Sequence, residues 1–169
     1  MCGIAAILKL ETTCCTADVL DRMRDEVSYR GPDDFGSVYF CHNPKPLDAV
    51  VPESTQCKVG LAHRRLSILD LSPSGHQPMC YGGRYWITYN GEVYNYLELR
   101  QELARAGRAF QSSSDTEVIL AAFAEWGTAS FSRFRGMWGL VLYDAVRQEV
   151  ILCRDRLCTA GAHDVDGRR

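Results

Sequence analysis

From its second residue to Leu10 the chain is almost unbroken apolar sequence, Cys2-Gly3-Ile4-Ala5-Ala6-Ile7-Leu8-Lys9-Leu10. A run of that kind reads as a strand covered on both faces. The first element is then a core element, and the fold must bury it between layers. Its leading residue is a thiol. If Met1 is removed, which a small side chain at the next position permits, Cys2 carries both a thiol and a free α-amine. The ordinary pKa of that amine is about 7.7–8.0, so near neutral pH part of it is unprotonated and accepts the thiol proton. One residue then serves as nucleophile and base. Taken alone, the same cysteine reads first as a small buried hydrophobe, and the rest of the chain has to decide.

Downstream, Thr16 is placed to cap a helix over Ala17 to Ser28, with Val19, Leu20, Met23 and Val27 at helical spacing. Arg30-Gly31-Pro32-Asp33 is turn chemistry. Gly36 to Cys41 reads as a strand, and His42 to Gln56, with three prolines and little periodicity, as a surface loop. Val59 to Ala62 is a short strand, Ser72 to Gly75 a turn, and Gln77-Pro78-Met79 extended. Arg84 to Tyr89 is a strand ending at Asn90-Gly91. Two helices follow, Tyr96 to Ala106 and a second from Asp115 to Trp126, each closed by a glycine, then a short helical segment near Ser130 to Phe134. Trp138 to Asp144 and Glu149 to Arg154 form a hairpin. Strands, paired helices, then strands describe an α+β domain and exclude a doubly wound sheet.

With 169 residues and a net charge of −2, the chain makes no electrostatic case for nucleic acid or an anionic membrane. The apolar run at the start is too short for a membrane span and lacks the basic flank of a signal peptide, so cytoplasm is the expected compartment. Eight cysteines and four histidines show no ligand spacing, which argues against a metal site or a disulfide framework. No Gly-x-x-x-x-Gly-Lys loop supports a nucleotide.

Three further positions carry candidate chemistry. Asn90-Gly91 is a common hairpin turn, yet it leads into a helix; the functional alternative is an oxyanion hole from an amide N–H and a closely approaching backbone N–H. Arg65 is either a solvated guanidinium or a bidentate grip on a carboxylate. Asp115 is either a helix N-cap or, with Glu92, the anionic partner of an ammonium group. A free amino acid is a zwitterion, so a site for one needs both signs at fixed separation.

Met1-Cys2-Gly3-Ile4, Arg30-Gly31-Pro32-Asp33, Ala62 to Asp70, Gln77-Pro78-Met79, Asn90-Gly91-Glu92-Val93-Tyr94-Asn95, Ser114-Asp115-Thr116-Glu117, Arg135 to Trp138 and Arg154-Asp155-Arg156 occur in that order. On these stretches, residues 1–156 resemble the glutaminase domain of glutamine-hydrolysing asparagine synthetases, class II glutamine amidotransferases with the N-terminal-nucleophile hydrolase fold. The resemblance implies a sandwich of two antiparallel β-sheets between helical layers. It implies glutamine hydrolysis to glutamate and ammonia through a Cys2 thioester. Asn90 and Gly91 would hold the oxyanion, Arg65 the α-carboxylate, Glu92 and Asp115 the α-ammonium, and the Leu66-Ser67-Ile68-Leu69 backbone would line the pocket. No cofactor is expected on this chain; ATP and Mg belong to a synthetase domain that receives the ammonia and is absent here. After Arg156 the wording departs from the family, and Leu157 to Arg169 reads as an unpatterned tail of a chain truncated within its sheet. The alternative to a glutaminase is a non-catalytic remnant or glutamine-binding module of the same fold.

Overall fold

The computed structural model describes residues 2–9, 15–41, 47–48, 56–67 and 73–157. The apolar opening run forms β1 (Gly3–Leu8), antiparallel to β6 (Val59–Arg65), with Gly3 opposite Arg64 and Leu8 opposite Val59. On its other side β6 pairs with β3 (Asp34–Phe40), which pairs in turn with β4 (Leu47–Asp48). β6 therefore lies inside the sheet and extends through Arg65, three residues past the expected end at Ala62. In a second sheet, β8 (Tyr85–Val93) lies between β7 (Met79–Tyr81) and β9 (Gly136–Asp144), and β10 (Glu149–Arg154) closes the far side. A two-stranded ribbon, β2 (Cys15–Thr16) with β5 (Gln56–Cys57), stands apart. The segment 42–56, expected to be loop, thus contributes strand residues wherever it is described.

Alternation along the strands builds the layers. Val38, Phe40, Val59 and Leu61 of the first sheet meet Trp86, Val141 and Tyr143 of the second in one buried cluster between the sheets. On the outer face of the first sheet sits α1 (Ala17–Glu26), whose Leu20 packs with Tyr39, Cys57 and Ala62 and seats over Gly60. Met23, expected on the inward face, is 41% exposed: only Ala17 and Leu20 of this helix are buried. The outer face of the second sheet is covered by α2 (Tyr96–Arg105) and α3 (Asp115–Trp126), which bury Leu99, Leu103, Val118, Ile119 and Ala122 against Ile87, Leu140 and Leu142. The order of layers is helix, sheet, sheet, helices, the α+β sandwich that the resemblance implies. Every residue of α3 from Asp115 to Phe123 is buried, and over Val118 to Phe123 the helix is apolar on all sides rather than amphipathic.

Two sequence readings are corrected here. β8 does not stop at Tyr89 but runs on through Asn90 and Gly91 to Val93, in unbroken register with β9. Gly91 takes φ +152° in mid-strand, so the Asn-Gly pair continues the ladder instead of turning it. And α3 is capped by Ser114, whose Oγ accepts the Thr116 N–H at 3.0 Å, leaving the Asp115 carboxylate available for other partners. The expected tail, apart from Leu157, lies outside the described residues.

Candidate active site

Cys2 sits immediately before β1, where sheet pairing with β6 fixes the chain. The Leu66 N–H points at Cys2 Sγ at 3.4 Å, and Sγ lies 3.7 Å from the Leu66 carbonyl. Arg30 Nε donates to the Cys2 carbonyl at 3.2 Å. The turn after Arg30 braces the strand end that carries Leu66. Asp33 N–H donates to the Arg65 carbonyl at 3.0 Å, and Asp33 Oδ2 accepts the Ser67 N–H at 2.8 Å. Gly31 lies so close to the Arg64–Arg65 backbone that a Cβ would stand 2.6 Å from Arg65 N. The sequence reading took 30–33 only as turn chemistry; its bracing role depends on partners more than thirty residues away and has no local signature.

Opposite Cys2, across the gap between the sheets, lies the free edge of β8. β7 pairs with β8 only as far as Met79 opposite Ile87, so beyond that point the β8 backbone groups facing away from β9 need other partners. In an antiparallel ladder those groups belong to every second residue. Tyr89 N–H donates to Gln77 Oε1 at 2.8 Å, and Val93 N–H to Asp115 Oδ2 at 3.1 Å. Gly91 lies between them, so its N–H is on the same edge and opens toward the cavity. The side chain of Asn90 shares the face of β8 that carries Trp86 and Thr88, toward the space between the sheets, and Asn90 is buried.

A cavity of about 160 Å³ joins these groups; Cys2, Arg65, Gln77, Asn90, Glu92 and Asp115 are among its walls. Arg65, at the end of β6, is buried; its guanidinium crosses Gly75, where an added Cβ would approach Cζ to 2.7 Å. Asp115 Oδ2 also accepts the Tyr89 hydroxyl at 2.9 Å. Burial pushes the Asp115 carboxyl above its ordinary value, opposed by these hydrogen bonds. Burial and the neighbouring Asp115 charge hold the Tyr89 phenol well above its ordinary value. Glu117, two residues along, accepts from Gln111 N–H, Ser112 N–H and Ser112 Oγ at 2.7–2.8 Å, which ties the entering loop to α3.

Of the residues singled out from sequence, Cys2, Arg65, Leu66, Asn90, Gly91, Glu92 and Asp115 are brought to one cavity. Ser67 is not among its walls and is held to Asp33 instead. Ile68 and Leu69 lie outside the described residues. Gln77, Tyr89 and Thr116 line the cavity without having been singled out from sequence for site chemistry. Each is placed by long-range pairing that no local pattern announces. Among the described residues no cluster of histidine, cysteine or carboxylate side chains has metal-binding geometry, and no helix is long and apolar enough to cross a membrane.

Residues 1–160 match the family described as "Glutamine amidotransferase domain". The chain is 35% identical over 148 residues to asparagine synthetase (glutamine-hydrolyzing) 1 of Bacillus subtilis (strain 168), covering 85% of this chain and 21% of that protein. It is 38% identical over 160 residues to asparagine synthetase (glutamine-hydrolyzing) 2 of the same organism, covering 92% of this chain and 19% of that protein. It therefore spans less than a third of the length of either relative. Among solved structures, glutamine phosphoribosylpyrophosphate amidotransferase from B. subtilis superposes with a TM-score of 0.70 at 18% identity, over 92% of this chain and 37% of that one. That likeness is one of fold: the N-terminal-nucleophile sandwich.

Proposed function

The chain belongs to the glutamine amidotransferase domain family, and from that membership we propose that it hydrolyses the side-chain amide of glutamine to glutamate and ammonia. The Cys2 thiol gives its proton to the α-amine of the same residue, freed by removal of Met1. Sγ attacks the amide carbon and forms a tetrahedral intermediate. Its oxyanion is held by the Asn90 side-chain N–H and the Gly91 N–H, donors fixed before the charge develops. Collapse breaks the C–N bond, the leaving nitrogen takes the proton, and ammonia departs from a glutamyl thioester. Water then attacks the thioester carbonyl carbon and gives a proton to the α-amine; the second oxyanion is held by the same donors, and its collapse breaks the C–S bond, the sulfur takes the proton and glutamate leaves. Arg65 binds the α-carboxylate by a bidentate grip, while Asp115 and Glu92 bind the α-ammonium.

The observation that carries this reading is the convergence on one cavity of Cys2, Asn90, Gly91, Arg65, Glu92 and Asp115 from separate segments of the chain. The ammonia acceptor is proposed to be the ATP-using part of an asparagine synthetase, in keeping with the relatives' names and greater length. The cytoplasm is the proposed compartment, where the catalytic thiol stays reduced. The test is ammonia release from glutamine by purified protein. Cys2→Ala is expected to abolish release, and Asn90→Ala to lower turnover roughly 10²–10³-fold, the usual cost of one oxyanion donor. Glutamine binding without ammonia release would instead support the glutamine-binding module, and wild-type turnover in Asn90→Ala would remove Asn90 from its role.

A further inference from the structure

His63 lies in β6 between Ala62 and Arg64 and is buried to 1% exposure, yet it is not among the residues that line the cavity. A buried imidazole is a poor core residue unless its nitrogens are matched. Only one of them is: Nε2 lies 3.1 Å from the Tyr89 carbonyl, while Nδ1 is buried with no hydrogen-bond partner. A carbonyl accepts only, so Nε2 carries the proton and Nδ1 is bare. The ring stays neutral near pH 7: burial pushes its pKa down to about 4. The charged or titratable groups that face it are Asp34 on β3, Arg65 on β6 and His76 beside the cavity wall.

The acceptor is what gives this bond meaning. Tyr89 is the residue before Asn90, at the point where β8 has lost β7 as a neighbour. Its N–H is taken by Gln77 Oε1, its hydroxyl by Asp115 and its carbonyl by His63 Nε2. The Tyr89 carbonyl and the Asn90 N–H form one rigid peptide plane. A donor that fixes this carbonyl fixes the plane. That in turn sets the direction of the Asn90 side chain and of the Gly91 N–H that follows. We propose that His63 is a positioning residue for the oxyanion hole, acting through the Tyr89–Asn90 peptide without touching substrate. The inference rests on the glutaminase reading above for its kinetic consequence, and on the Tyr89–Asn90 geometry alone for its structural one.

The experiment compares His63→Leu, which removes the donor, with His63→Gln, whose amide nitrogen reaches close to the position of Nε2. A donor misplaced by about 1 Å costs on the order of 10²-fold in rate, so His63→Leu is expected to lower kcat roughly 10–100-fold. KM stays within about threefold, because the lost interaction exists only in the transition state. His63→Gln is expected to recover kcat to within about fivefold of wild type, by restoring the donor to the Tyr89 carbonyl. In an Asn90→Ala background the His63→Leu effect shrinks to what the Gly91 N–H alone carries, since the Asn90 share is already lost, so the two losses do not multiply. If His63→Leu does not fold, His63→Asn, whose amide stops short of the carbonyl, takes its place.

Unchanged kcat, a loss confined to KM, no recovery in His63→Gln, or full multiplication with Asn90→Ala would each overturn the proposal. A wild-type protein that releases no ammonia defeats the glutaminase reading instead. In that case the positioning role is judged by NMR. The Asn90 side-chain amide and Gly91 backbone amide signals are expected to move in His63→Leu and return in His63→Gln, while those of distant Asn95 hold still. Signals of Asn90 and Gly91 that stay in place in His63→Leu overturn it whatever the turnover.

Discussion

Replacing Gly91 by alanine tests the mid-strand geometry of the backbone that carries the proposed oxyanion donors. Gly91 holds φ +152°, and a Cβ added there would stand 2.5 Å from Trp138 Cα and 2.7 Å from Trp138 Cβ, with the Met137 carbonyl closer still. These obstacles are the facing strand itself, paired in register with Gly91, so they cannot swing aside as a side-chain tip would. A non-glycine residue at such a φ costs about 1–3 kcal/mol. Overpacking against fixed neighbours adds about 1–3 kcal/mol. The sum, about 2–6 kcal/mol, is a large share of the 5–15 kcal/mol that typically holds a domain together. At about 2–4 °C per kcal/mol for a chain of this size, Tm falls roughly 4–24 °C.

Two controls separate the causes. At Gly83, φ is +66° with open space around the added Cβ, so Gly83→Ala costs only the backbone term, about 1–2 kcal/mol. At Gly139 neither obstacle exists, and Gly139→Ala is expected to leave Tm nearly unchanged. Thermal unfolding followed by circular dichroism reads all three. A Gly91→Ala shift no larger than that of Gly83→Ala would refute the reasoning, because the clash with β9 would then carry no weight.

Further outcomes follow from single side chains. Ser114→Ala removes the α3 cap and is expected to cost about 1 kcal/mol in denaturant unfolding. Asp115→Asn keeps an oxygen for Tyr89 and Val93 but loses the charge, so KM for glutamine is expected to rise at least about tenfold with Tm little changed; a kcat loss at constant KM would exclude ammonium binding. Arg84 binds Asp144 through Nε and Nη2 at 2.8 and 2.6 Å. These bonds hold the Asp144 carboxyl below its ordinary 3.8. A carboxyl lowered in the folded state stabilises it above that ordinary value and loses the contribution as pH falls below it. Asp144→Asn is therefore expected to flatten the fall in stability on the acid side of about pH 4; an unchanged acid slope would show the pair to be inert.

What the sequence made legible was local. The apolar period of α2, the apolar run of α3 and the β9–β10 hairpin all follow from local spacing, whereas the opening run, read as a strand covered on both faces, is an edge strand that is only half-buried past Gly3, with Leu8 exposed. The misreadings have a common origin. Asn90-Gly91 carries the signature of a turn, but in the fold Gly91 serves close approach to Trp138, a neighbour 47 positions on in the ladder. Asp115 fits a cap locally, but Ser114 has the extended backbone a cap requires, and Asp115 is spent on Tyr89 and Val93. The Arg30 to Asp33 turn, Gln77 and His63 bond to backbone groups far along the chain, and side-chain-to-backbone pairing leaves no periodic trace. The candidate site was legible as a set of residue types; the edge of β8 that aligns them was not.

The central claim is a glutamyl thioester on the sulfur of Cys2 at the head of a chain from which Met1 has gone. Intact-mass and peptide mapping of protein quenched in acid during turnover measures it most directly. The account predicts a glutamyl adduct on an N-terminal Cys2 peptide that disappears as glutamine is exhausted. An adduct on any other cysteine, or sustained hydrolysis by protein that retains Met1, would contradict it.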